Sequence, residues 1–112
     1  MAYTRDGIMA QVWVAFGQGT GMFRVSQDAA MELHRWYYNA ITEEIVSTVW
    51  DKEAVAVLER IRAIGRLAAL NAANLGATAI SADDVFNAAN QVQKTSDTLI
   101  CPPAPGPPTL KD

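Results

Sequence analysis

Proline is missing from the first 101 residues, and all five prolines are crowded between Pro102 and Pro108. A body without proline sets no bar to long helices, whereas a stretch this rich in it forms neither helix nor central strand. The chain therefore divides into a single helical domain, residues 1–95, and an extended proline-rich C-terminal tail, residues 96–112. Histidine and cysteine are scarcer still, with one of each, His34 and Cys101. One cysteine excludes an intrachain disulfide and suits a reducing compartment. One histidine, with no CxxC or ExxH pair, excludes an ordinary zinc or di-iron centre within one chain. No metal or other cofactor is expected.

Basic charge is also short. Nine Lys and Arg face twelve Asp and Glu, a net charge of -3. That argues against charge-driven binding to nucleic acid or to an anionic membrane. The one basic cluster, Arg60, Arg62 and Arg66, reads as a solvated helix face. The longest charge-free stretch before the tail, Gly7 to Phe23, holds four glycines and two glutamines and is too polar to span a bilayer. The opening MAYTRDG has no basic region, and no cleavage site follows. A soluble cytoplasmic protein without membrane contact is the expectation.

What is present is a globular composition, with half the residues apolar, enough for one core. Ser26 is a helix N-cap followed by Asp28, and Ala30, Leu33, Tyr37, Ile41, Ile45 and Val49 recur at helical spacing. This predicts a helix over 26–49, with Glu32, Arg35, Asn39 and Glu43 on its polar side. A second helix is predicted over 52–75, capped by Asp51 and stopped by Gly76. With no glycine or proline between them, one continuous helix remains open. The main stripe of the second runs Ala54, Val57, Leu58, Ile61, Ile64, Ala68, Ala72 and Leu75. Leu67 and Leu70 lie outside it, so its second half is apolar nearly all round and should meet more than one neighbour. Gly65, Ala69 and Ala73 are four apart, which lets another backbone come close. An extended link, ATAI, leads to a third helix over 82–95, capped by Ser81 with Asp84 in a capping box.

Residues 8–25 fit two forms. Ile8, Ala10, Val12, Val14 and Phe16 alternate, and Met22 to Val25 can pair back across GQGTG as a hairpin. Ile8, Met9, Val12, Trp13 and Phe16 equally share a helical face, with Gly17 as its C-cap. The alternation favours the hairpin. The fold class is therefore mainly α: a three-helix body with a small N-terminal β-hairpin, or short helix, and the proline-rich tail.

Few groups suggest chemistry. GQGTG is GxGxG and leads into MFRVS, which is no helix start, so its glycines serve a turn rather than a phosphate. Glu43 and Glu44 point about 100° apart on a helix and do not converge. His34, Trp36, Tyr37 and Tyr38 are the candidates for an aromatic ligand pocket, with core packing as the alternative. Pro102/Pro105 and Pro105/Pro108 have PxxP spacing, so the tail can dock on a partner or strap a subunit.

Residues 53–93 run long helix, Gly76, ATAI, then a Ser-capped helix opening ISADDVFNAA. This order resembles the second half of a histone-type fold. The resemblance implies head-to-tail pairing of two chains through the central helix. It does not carry over DNA binding, since residues 51–95 hold five basic and five acidic side chains.

These observations favour a small non-enzymatic interaction protein, an assembly, accessory or regulatory subunit that forms a homo-oligomer. Its interface candidates are Ile61, Gly65, Leu67, Ala69, Leu70, Asn71, Ala73 and Asn74. A small-molecule binder or small enzyme near His34 is the alternative, followed by a histone-like transcription-associated dimer. The string NAAN occurs at 71–74 and 87–90, but nothing around it recurs. Asn87 and Asn90 align with charged residues, whereas Asn71 lies where burial is expected and where an amide can fix helix register. Asn71→Leu should then raise stability while loosening the partner arrangement. A variant that keeps one unchanged oligomer on light scattering removes the register role.

Overall fold

The structure, a computed structural model, describes residues 4–38 and 50–93. Within them the order is α1 (Arg5–Thr20), β1 (Arg24–Val25), α2 (Gln27–Tyr37), α3 (Trp50–Asn74), β2 (Ala79–Ile80) and α4 (Ala82–Gln93). The fold is mainly helical, as the composition and periodicity predict. Two helix–strand–helix units follow one another and are tied by their strands. β1 and β2 pair in parallel, Arg24 opposite Ala79 and Val25 opposite Ile80. A parallel pair needs a long crossover, which α2 and α3 supply. Residues 39–49 of the helix predicted over 26–49, its join to the next helix, Cys101 and the proline-rich tail lie outside the described residues.

Of the two forms open to residues 8–25, the helix is adopted and the hairpin is not. Thr4 caps α1, its hydroxyl accepting from the Gly7 N–H at 2.9 Å. Ile8, Met9, Val12, Ala15 and Phe16 then face inward together. An isolated two-stranded hairpin is marginal in water, while this helix buries its whole apolar face against α3. The turn ascribed to all three glycines of GQGTG shrinks to one. Gly17 and Gly19 are helical, and only Gly21 has a positive φ, 63°, where it ends α1 by donating to the Gly17 carbonyl. Only Arg24 and Val25 turn extended, and their partner is β2, distant in sequence.

The other caps form as their residues imply. The Ser26 hydroxyl accepts from the Ala29 N–H at 3.1 Å. Asp84 accepts from the Ser81 N–H at 2.9 Å, while the Ser81 hydroxyl accepts from the Asp84 N–H at 3.3 Å, a reciprocal capping box. Gly76, at φ 70°, closes α3. Its N–H donates to the Ala73 carbonyl and that of Ala77 to Ala72, both at 3.0 Å, which satisfies carbonyls left over at the helix end. Trp50 and Asp51 are both helical, so Asp51 lies inside α3 rather than capping it.

The core is one cluster running through all four helices and β2. α3 is its axis, packed against α1 and also against α4, so it meets more than one neighbour, as the nearly all-round apolar second half predicts. Val57, Ile61, Ile64, Ala68 and Ala72 are fully buried. Burying each isoleucine contributes roughly 2 kcal/mol relative to exposure. The predicted stripe fails only at Leu75, which is exposed just past the helix end.

The α1–α3 contact is backbone to backbone. A Cβ on Gly65 would stand 2.5 Å from the Phe16 carbonyl oxygen and 3.1 Å from Gly19 Cα. A Cβ on Gly19 would overlap the Arg62 carbonyl. Gly17, two residues away, has open space beside it. Gly65→Ala is therefore expected to lower stability by about 2–3 kcal/mol, because overpacking outweighs the helix-propensity gain. Gly17→Ala should raise it by about 0.5–1 kcal/mol. Urea midpoints that move together for the two variants would show that the helices are not this close.

Candidate interaction surface

Away from the Gly19–Gly65 crossing, α1 and α3 leave a groove between them of about 280 Å³. Ala10, Val14, Ala15 and Leu58 make it apolar, and Gln18 and Arg62 close one end. There the Arg62 Nε–H donates to Gln18 Oε1 at 2.7 Å. Val14 and Val55 both remain largely exposed. Neither valine was singled out by the sequence patterns as a surface feature. The available signal was that Val14 lies off the inward face of α1 and Val55 off the main stripe of α3.

The four aromatic-pocket candidates do not converge. Trp36 and Tyr37 are buried in the core, and the Trp36 ring lies 6.2 Å from that of Phe86, joining α2 to α4. His34 and Tyr38 instead stack on the surface, with centroids 4.5 Å apart and planes at 15°. The Arg5 guanidinium sits 5.0 Å above the Tyr38 ring, and the Tyr38 hydroxyl donates to Asp6 Oδ1 at 3.5 Å. This cluster fastens the start of α1 to the end of α2. It is a stacked surface contact, apart from the buried Trp36 and Tyr37.

Glu32, expected on the polar side of its helix, is buried. Its Oε2 accepts from the Trp36 indole N–H at 2.8 Å, and its Oε1 lies 3.3 Å from Arg35 Nη2. The carboxylate is retained in the core because the indole needs an acceptor there and Arg35 balances the charge. Spacing at i, i+3 and i+4 made both contacts readable in sequence, but the indole's need became evident only with its burial.

The eight interface candidates on α3 divide by position. Ile61 and Gly65 are buried within the chain's own core, and the close approach expected of Gly65 is met by α1. Both are thus removed from any outer surface. Leu67, Ala69 and Asn71 are half-buried, while Leu70, Ala73 and Asn74 are exposed at the end of the helix. The basic cluster also divides. Arg66 is exposed, Arg62 is bonded to Gln18, and Arg60 is buried rather than solvated. Pro102, Pro105 and Pro108 lie outside the described residues.

Among the described residues no group of three His, Cys, Asp or Glu side chains is placed to hold a metal ion. Nor, among them, is any helix long and apolar enough to cross a membrane. No family model, curated protein or solved structure matches this chain. The likeness of residues 53–93 to half of a histone-type fold thus rests on the local pattern alone.

Removing the buried carboxylate tests how α2 is held. Glu32→Ala strands the indole N–H of Trp36 and is expected to cost about 1–3 kcal/mol. Urea unfolding followed by tryptophan fluorescence measures it, and a cost near zero would mean that the indole has another acceptor.

Proposed function

We propose that this chain is a small non-enzymatic interaction protein that self-associates in the cytoplasm through its helical surfaces, as an assembly, accessory or regulatory subunit. One observation carries the reading: large apolar side chains stay uncovered on the central helix and its neighbour. Val14 is 61% exposed, Val55 71%, Leu70 54% and Leu75 79%. Val14 lines the groove between α1 and α3, Val55 lies one turn before the groove residue Leu58 on α3, and Leu70 and Leu75 lie at and just past the far end of α3. Single exposed apolar residues are ordinary, but apolar residues beside a groove and along one helix end are the usual material of subunit contacts.

The dispersal of His34, Trp36, Tyr37 and Tyr38 favours this reading over an aromatic ligand pocket. The separation of Arg60, Arg62 and Arg66 likewise disfavours a DNA-binding dimer, which needs an exposed basic face. The tail, with its two PxxP spacings, is a second means of contact with a protein partner.

Light scattering at micromolar concentration tests the proposal, with an oligomer expected. Leu70→Ser with Leu75→Ser should shift the population toward monomer while leaving the melting temperature of the body within a few degrees. A wild-type monomer across the micromolar range overturns it.

A further inference from the structure

Arg60 is 6% exposed, and both terminal nitrogens of its guanidinium are shut off from solvent without a hydrogen-bond partner among the described residues. We propose that this buried, unpartnered fork on α3 is a binding site for a small oxyanion of the phosphate or carboxylate class. The inference is independent of self-association.

The argument begins with the charge. An arginine side chain stays protonated under all ordinary conditions, so it cannot escape burial by losing its proton. A buried charge demands an opposite one. The neighbours one turn away on α3 are Ala56, Val57, Ala63 and Ile64, none of them anionic. The carboxylates of the other described elements are engaged or out in solvent. Glu32 serves Trp36 and Arg35, Asp84 serves Ser81, and Asp6 serves Tyr38. Asp28, Glu59 and Asp83 are exposed.

The chemistry of the ligand follows from which atoms are free. Nη1 and Nη2 together present the end of the fork, which matches two oxygens of one phosphate or carboxylate. Alanine at 56 and 63, on the same side of the helix as Arg60, keeps the neighbouring positions of α3 small and uncharged. Because both nitrogens are closed to water, the anion enters through a local opening of the packing around α3 and is enclosed when it closes.

Thermal unfolding of the full chain tests this, with chloride replaced stepwise by inorganic phosphate at constant ionic strength. The wild type should gain several degrees in a saturable manner, because a ligand bound only by the folded state stabilises it by mass action. Arg60→Met should show no gain, and in chloride alone it should be at least as stable as the wild type, since it removes an uncompensated charge. Arg60→Lys keeps the charge without the fork and should lose most of the response. Equal gains in wild type and Arg60→Met would overturn the site, because phosphate then acts elsewhere. A large loss of stability in Arg60→Met in chloride, with phosphate inert on the wild type, would also overturn it. That result would mean that a carboxylate of the chain already pairs with the guanidinium.

Discussion

α1 and α3 meet where neither has a side chain. Gly19 and Gly65 face each other so closely that a methyl group on either would strike the backbone opposite. That approach sets the separation of the two longest described helices and therefore the shape of the space that the rest of the core must fill. Phe16, Ile61 and Ile64 pack around the crossing, and the groove beside Val14 and Leu58 opens where the helices part. Glycine inside a helix costs about 1 kcal/mol in propensity. Here tight packing offsets that cost at Gly19 and Gly65, where the two backbones meet.

A second constraint acts through the strands. β1 and β2 contribute only two residues each, too little to be stable alone. Their value lies in position, because the Ser26 N–H bonds to the Ile80 carbonyl just before α2 starts and α4 follows directly after β2. The pairing thus fixes where the second helix of each unit leaves. α2 and α4 then meet through Trp36 and Phe86, and the buried Glu32 completes that contact from the polar side. Arg60 contrasts with Glu32. One buried charge is fully met by described neighbours and acts as structure, while the other is unmet, which makes it the focus for binding.

Much of the local structure was legible. Ser26, Ser81 with Asp84, and Gly76 each carry a capping preference that depends only on neighbouring backbone groups, and each caps as its chemistry dictates. The stripe from Val57 to Ala72 is buried because helical periodicity alone gathers it on one face. Residues 8–25 were less clear, since alternation and helical spacing coexist there, and Thr4, the cap that favours helix, precedes the ambiguous stretch. Asn71 and Asn90 are both half-buried, so the two NAAN strings differ less in burial than their helix positions suggest.

The sequence by itself determined the helical class, the starts of α2 and α4, the end of α3 and the inward face of α3, because these follow from interactions within a few residues. Tertiary structure alone decided that Gly19 is a contact rather than a turn, and that Gly65 serves the chain's own core. It also decided that Glu32 and Arg60 are buried and that His34 and Tyr38 part company with Trp36 and Tyr37. In each case the outcome depends on which segment arrives from elsewhere in the chain, and no local pattern carries that information.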